Sequence, residues 1–367
     1  MYKKNLKITI LLIGILVTII ASINIFVDPG KIYLKKIVAQ QKANDYVDKL
    51  IKSKYGLFRN GWNERLVKTT LAQKASNYEC VILGSSHIMQ ISNIRKIGNI
   101  QKQCKSLINL GVSGGSLEDI FVMSNILFKN NKLPKKIFID IDPWTLKLNM
   151  DSRYGAYKNE YIAMVQSLKI KYQGEGSSYR EKVLKNLINW EYFYSSIKIL
   201  KEKKYKAFDY FNLRGYAPTK PYNYSEGSTG SIILPDGAHI YSNSYLKKQK
   251  KNNPNIPLGK GNYKIKGKIY EEKAILYLEK LIRFYQSQNV EVAFILTPYH
   301  PNVFKKGETK TVKHMKRIKN IILDIAKKYN LKIYGSFFPK DLNCKESEFL
   351  DFMHPTTDCL NKINFSH

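Results

Sequence analysis

The stretch Val81-Ile82-Leu83-Gly84-Ser85-Ser86-His87 is a short apolar run that stops at a glycine and two serines. Three apolar residues in a row, four with Cys80, predict a buried parallel strand, and the small polar trio predicts its C-terminal turn. In open α/β sheets, ligands and chemistry gather at the carboxyl ends of the strands. A serine in such a turn is a nucleophile when a base lies within reach. The chain offers one near its other end, in Phe349-Leu350-Asp351-Phe352-Met353-His354-Pro355.

The pattern around that first strand repeats. A second strand is expected over 106–111, ending in Val112-Ser113-Gly114-Gly115. Ser116 then opens a helix, with Glu118 and Asp119 in the first turn where the helix dipole favours acids, running to about Phe128. A third strand over 136–142 is stopped by Pro143. Helix is expected again over 270–288, strand over 290–296, helix from about 311 to 329 and a last strand over 331–334. This alternation predicts an α/β fold with a parallel, doubly wound sheet. Helices are also expected over 32–53 and 63–75, and helical character with aromatic faces over 156–203.

From Tyr205 to about Lys268 the periodicity dissolves into Gly, Pro, Asn, Ser, Lys and Tyr, with a hairpin turn at Ile233-Leu234-Pro235-Asp236-Gly237. Long irregular blocks inside a domain serve as lids or binding surfaces. Tyr205, Tyr210, Tyr216, Tyr222 and Tyr224 interleave with lysines there. That suits a glycan-binding lid, and equally a satellite core under a long loop.

Residues Ile8 to Val27 carry no charge over about the length that crosses a bilayer. Lys3, Lys4 and Lys7 before it favour a cytoplasmic N-terminus, against which Lys31, Lys35 and Lys36 weigh on the far side. The run is long and no Ala-x-Ala site closes it, so an uncleaved anchor is expected rather than a removed signal peptide. The organisation read from this is a membrane anchor over 1–30, a juxtamembrane helical stalk over 31–77, and a main domain over 78–367 with an insertion at about 205–268. The main domain is expected outside the cytoplasm. The 367 residues carry a formal net charge of +32. Such a surface suits anionic polymers or headgroups, and equally reflects a chain rich in Lys, Asn and Ile. Nucleic acid is a poor partner for a domain outside the cell. Four cysteines are too few for a disulfide scaffold. Cys80 and Cys104 each fall at or before a strand, and Cys344 and Cys359 bracket the Asp351/His354 loop; two disulfides or four buried thiols both fit.

The chemistry rests on Ser86, Asp351 and His354. His354 would accept the Ser86 proton, and Asp351 would fix the imidazole tautomer and stabilise its cation. The α/β-hydrolase layout requires Gly-x-Ser-x-Gly, and position 88 is Ile. The backbone N–H groups of Ser86 and Gly114 are the natural oxyanion donors. His87, Asp142 and His300 are candidate substrate contacts at strand ends. Asp140-x-Asp142 also has the form of a nucleotide-sugar transferase metal motif, which an extracytoplasmic domain makes improbable. No metal and no cofactor is expected.

Gly84-Ser85-Ser86, Asn109-Leu110-Gly111-Val112-Ser113-Gly114 and Asp351-x-x-His354 together resemble three of the four sequence blocks of the SGNH (GDSL-type) hydrolase superfamily. They stand in the family's order across roughly residues 78 to 360. The resemblance implies a three-layer sandwich with a parallel, flavodoxin-like sheet. It implies that Ser86 is the nucleophile, Gly114 the oxyanion glycine, and Asp351 with His354 the rest of the triad. The family's oxyanion asparagine has no match, and Asp142 falls nearest its place. An ionised carboxylate cannot donate a hydrogen bond. The single anchor and the Gly-Ser-Ser turn are similar to members that modify envelope polymers, such as those of teichoic acid D-alanylation and alginate or peptidoglycan O-acetylation. That likeness implies a serine-dependent acyltransferase or esterase on a cell-surface polysaccharide, with a multi-spanning membrane O-acyltransferase as partner. The competing expectation is a catalytically decayed binder or scaffold of the same fold.

Overall fold

The structure is a computed structural model. It describes residues 2–29, 33–58, 63–172, 179–201, 231–252, 256–259, 261, 263–265 and 267–365. The five tyrosines read as a glycan-binding lid or, equally, as a satellite core lie outside these residues. The chain divides into two compact units, one of Met1–Asp45 with Gln173–Gly215 and one of Tyr46–Tyr172 with Tyr216–His367.

In chain order the elements are α1 (Tyr2–Val27), α2 (Leu34–Lys52), β1 (Leu57–Phe58), α3 (Glu64–Lys74), β2 (Cys80–Leu83), β3 (Leu107–Asn109), α4 (Leu117–Lys129), β4 (Lys136–Asp140) and α5 (Lys158–Ser167). They continue with α6 (Tyr179–Leu187), α7 (Trp190–Lys201), β5 (Ile232–Ile233), β6 (His239–Ile240), α8 (Asn243–Asn252), α9 (Glu272–Ser287), β7 (Glu291–Leu296), α10 (Lys310–Tyr329), β8 (Lys332–Gly335) and α11 (Thr357–Leu360). Within α1, Asn5–Val27 is long and apolar enough to cross a membrane.

The larger unit is built on a five-stranded sheet in the order β3-β2-β4-β7-β8, parallel at every pairing. The expected α/β class and parallel sheet are therefore observed. Val81, Leu83, Ile137, Ile139, Val292, Phe294 and Leu296 fall in one buried cluster, while Cys80, Ile82, Phe138, Ala293 and Ile295 fall in another. Alternate residues of each strand thus enter opposite cores, which is why the strands read as unbroken apolar runs rather than alternating ones. On the first face lie α4, α9 and α10. The second is closed by Ile88, Ile91, Ile100, Leu360, Ile363 and Phe365, which come from short turns and the tail of the chain.

The helix signals hold where their caps are strong. Ser116 and Asp119 form the capping box of α4, and Thr309 caps α10 by accepting from Val312 N. The helical stretch expected over 156–203 is in fact several pieces: a 3-10 segment over Ser152–Tyr157, then α5, α6 and α7. Gly174 and Gly176 punctuate the sequence between α5 and α6. The stretch expected to be irregular is partly regular. Its Pro235-Asp236-Gly237 turn does join an antiparallel pair, β5 and β6, and α8 follows. The interval expected as a stalk joins the main core from Tyr46 onward, through Tyr46, Val47, Leu50, Val67, Leu71 and Ala72. Both cysteine pairs are bonded, Cys80 to Cys104 and Cys344 to Cys359.

Lys68 of α3 is 1% exposed, and its ammonium donates to the carbonyls of Asn109 at 2.7 Å and Gly237 at 2.5 Å. It thereby ties the end of β3 to the β5–β6 hairpin, alongside Asn109 N donating to Asp236 O. Lys68→Met keeps the stem's packing and strands two buried carbonyls. It should destabilise the protein by about 2–4 kcal/mol, measured by urea denaturation of the disulfide-intact protein.

Candidate active site

Two segments far apart in sequence build the site. The first is the turn after β2, where Ser86 begins a 3-10 turn capped by Ser85, whose Oγ accepts from His87 N at 3.1 Å. Ser85 is itself anchored, because its N–H and its hydroxyl both donate to Asp140 Oδ2 at 3.1 and 3.2 Å. Gly84 permits this: a Cβ there would lie 2.2 Å from the Cβ of Asp140. The neighbouring turn presses as closely, since a Cβ on Gly115 would lie 2.3 Å from Gly84 O.

The second segment is the loop after the 3-10 turn Glu346–Glu348. Phe349 and Pro355 pair across it, and Leu350 N donates to His354 O. The amides of Met353 and His354 donate to Asp351 Oδ1 at 2.8 and 2.9 Å. From outside the loop, His300 N donates to Phe352 O, and Gln90 Nε2 to Pro355 O at 3.0 Å. The Cys344–Cys359 bridge closes the segment on both sides.

Where the segments meet, Ser86 Oγ lies 2.8 Å from His354 Nε2, and His354 Nδ1 lies 2.8 Å from Asp351 Oδ2. With Nδ1–H donating to the carboxylate, the Nε2 lone pair faces the serine hydroxyl. Burial raises the Asp351 carboxyl, but hydrogen bonding and attraction from His354 and the two loop amides outweigh it and hold it below its ordinary value. The anion therefore persists across the range in which an imidazole titrates. The His354 and Asp351 side chains remain 18% and 30% exposed, so the site is open to an incoming molecule.

Gly114 stands in the turn after β3 with φ +60°, in the left-handed region, and a Cβ there would lie 2.6 Å from Arg153 Nη2. Its turn is pinned from several sides. Arg153 donates to Ser113 O at 2.6 Å and Lys264 to Gly114 O at 3.0 Å, while the Glu64 carboxylate accepts from Ser113 N and Oγ. Asp151 binds both Arg153 and Lys264; burial raises its carboxyl, and these two cations more than reverse that, holding it far below the usual range. Among the described residues neither the Ser86 nor the Gly114 N–H donates to another group.

Behind the triad histidine lies a buried polar cluster. His87 is 1% exposed; its Nδ1 is 2.6 Å from Asp142 Oδ1 and 3.1 Å from Thr297 Oγ1. Its ring meets those of Trp144, Tyr299 and His354 edge-on. Asp142 is likewise 1% exposed, and His300 is fully buried, with Nδ1 accepting from Asn302 N as the cap of a short turn. The three residues expected as substrate contacts are thus walled in, because the strand ends that bear them are overlaid by the 349–356 loop and by Trp144. His87 belongs to the site only as the packing behind His354. Asp140 stood out in the sequence only through the Asp140-x-Asp142 spacing, and the structure gives it another role, as the acceptor that anchors Ser85 at the end of β4. The Arg153–Asp151–Lys264 group around Gly114 leaves no local pattern in the sequence.

No protein-family model matches the chain, and no curated protein is significantly similar to it.

Burial, followed by the charge of Asp142, pushes the Asp140 carboxyl well above its ordinary value, with His87 and the Ser85 donors opposing. A raised carboxyl is ionised more readily in the unfolded chain. It therefore costs stability increasingly as the pH climbs from about 4, and none below that. Asp140→Asn keeps the acceptor for Ser85. It should raise the melting temperature at pH 7–8 and leave it nearly unchanged at pH 4, a difference read by calorimetry at the two pH values.

Proposed function

We propose that this protein is a membrane-anchored, serine-dependent acyl transferase or esterase acting outside the cytoplasm on an ester of a cell-surface polymer. The single observation that carries the reading is the Ser86–His354–Asp351 relay, with both contacts at 2.8 Å. In the first half-reaction Ser86 Oγ attacks the acyl carbonyl carbon while its proton passes to His354 Nε2. The resulting oxyanion is met by the N–H groups of Ser86 and Gly114. Collapse expels the donor alkoxide, which takes the proton from His354, and leaves the acyl group esterified to Ser86. In the second half a sugar hydroxyl, or water, gives its proton to His354 and attacks that ester. Ser86 Oγ leaves and recovers the proton. Asp351 stays ionised throughout and stabilises the imidazolium.

The sequence blocks support an SGNH-type fold in which this sheet forms the middle of a three-layer sandwich. The sheet's strand order, second-first-third-fourth-fifth, is the flavodoxin-like one. Acetyl is the favoured acyl group by that resemblance. The net charge of +32 supports an anionic envelope polymer as acceptor. The apolar Asn5–Val27 helix, with lysines before it, supports a single-pass anchor, and the family resemblance implies a multi-spanning membrane O-acyltransferase as partner.

A second reading, a decayed binder of envelope glycan, is favoured by one observation: carboxylates, Asp140 and Asp142, occupy the strand end where the family's asparagine would donate. The two readings separate experimentally. A fluorophosphonate probe should label the wild type, and Ser86→Ala should abolish the label. Ser86→Ala, His354→Ala and Asp351→Asn should each lower turnover of a chromogenic acetyl ester by roughly 10³-fold or more, non-additively. Equal labelling of the Ser86→Ala protein, or no ester burst from the wild type, favours the binder.

A further inference from the structure

In the smaller unit, Asn24 interrupts the apolar run of α1 three residues before its end, about 5 Å along the axis. It is fully buried. Its Nδ2 lies 3.2, 3.1 and 3.5 Å from the carbonyls of Asn186, Leu187 and Asn189, which are the corner between α6 and α7. Its Oδ1 accepts from Ser196 of α7 at 3.2 Å. Further along, Tyr192 OH donates to Asp28 Oδ1 and Tyr33 OH to Val183 O. The α6–α7 corner is thus docked on α1 at the level of its last turns. The earlier turns are bare, with Ile10, Leu11, Leu12 and Leu16 each more than half exposed.

The Asn5–Val27 span of 23 residues is about 35 Å long, against about 30 Å of hydrocarbon. A corner packed on Asn24 consequently sits at the boundary between hydrocarbon and headgroups. A polar side chain at that depth needs an internal partner, and the corner's carbonyls supply it. The corner's outer surface is apolar and aromatic: Leu184 and Ile188 are 59% and 58% exposed, Trp190 and Tyr194 each 67%, and Phe26 of α1 itself 61%. Trp190 and Tyr194 stand four apart on α7, hence on one face. Lys185 and Lys198 are exposed beside them. Trp and Tyr next to lysine is the composition that settles at a bilayer interface.

We propose that the α6–α7 corner is a second membrane contact. Leu184, Ile188, Trp190 and Tyr194 would insert into the interfacial layer of the leaflet at the C-terminal end of α1, with Asn24 as the pin that holds them there. The occupant is lipid, because this surface continues the lipid-facing side of α1. The inference rests on α1 spanning the bilayer, as proposed above, and the experiment tests the two separately.

The full chain, its four native cysteines left disulfide-bonded, is reconstituted in phosphatidylcholine/phosphatidylglycerol vesicles as variants with one free cysteine, Trp190→Cys, Leu184→Cys or Ile10→Cys, each carrying an environment-sensitive nitrobenzoxadiazole label. Quenching is compared between lipids spin-labelled near the headgroup, lipids spin-labelled deep in the chain, and aqueous iodide. The Ile10 label should lose most of its emission to the deep spin label; if iodide reaches it instead, the anchor reading fails. With the anchor in place, labels at 184 and 190 should lose more emission to the shallow spin label than to the deep one, and little to iodide. Strong iodide quenching, or protection from all three quenchers by protein packed over the corner, overturns the proposal.

Discussion

Close backbone packing at the carboxyl edge of the sheet is the constraint on which the rest depends. The turn after β2 lies against Asp140 through Gly84, and the turn after β3 lies against that same glycine through Gly115. At neither position is there room for one more carbon. The turns after β2 and β3 are therefore stacked against the end of β4 tightly enough that Ser86 and Gly114, 28 residues apart in the chain, belong to one surface. The sheet sets the direction in which Ser86 leaves the strand, while Asp140 fixes its rotation by holding both polar groups of Ser85. The proposed nucleophile is thus placed by a side chain that takes no part in the proposed reaction.

Charge is handled in two contrasting ways around this edge. Near Gly114, carboxylates are matched with cations: Asp151 with Arg153 and Lys264, Asp119 with Arg65 in a two-point contact at 2.7 and 2.8 Å. Such pairs cost desolvation and return it only with good geometry, so they serve to fix turns more than to add stability. Behind His354 the matching is deliberately incomplete. Of the two carboxylates only Asp142 contacts His87, Asp140 interacting with it through space, and Asp140 Oδ1, His87 Nε2 and the Tyr299 hydroxyl have no hydrogen-bond partner among the described residues. Burial raises the Tyr299 phenol well above its ordinary value, and the three surrounding carboxylates raise it further, so it stays neutral. A cluster of this kind resists water and holds the rear of the imidazole ring in a dry environment. The solvent-facing side, by contrast, stays open.

How much of this was legible in the sequence follows from the range of each interaction. The strands and the helices α4, α9 and α10 were readable because burial on both faces and side-chain caps leave local marks, such as Val81-Ile82-Leu83 or Ser116 with Asp119. The triad was readable because its members occupy short motifs, even though 268 residues separate Ser86 from His354. What the sequence could not give was depth. His87, Asp142 and His300 sit at strand ends just as substrate contacts do, and only the loop laid over them and Trp144 make them interior. The break-up of 156–203 and the ordering of 231–252 depend on long-range packing that no periodicity records. Arg153 reached the site from a short 3-10 segment and Lys264 from a loop, where sequence spacing carries no geometry.

On the proposed mechanism, a hole made of two backbone amides would limit what chemistry this edge performs. Losing one donor from an oxyanion hole lowers kcat by roughly 10²–10³-fold. On that reading, a site whose third position holds carboxylates would be a slow one toward dilute soluble esters. Confinement offsets such a deficit. When donor, catalyst and acceptor are all held at one membrane surface, each encounter becomes intramolecular in effect, at effective concentrations of order millimolar. The proposed acyl-serine would then partition between a dense array of polymer hydroxyls and water. On this proposal an anchor would favour transfer over hydrolysis through local concentration, with no change in the chemistry proposed at Ser86.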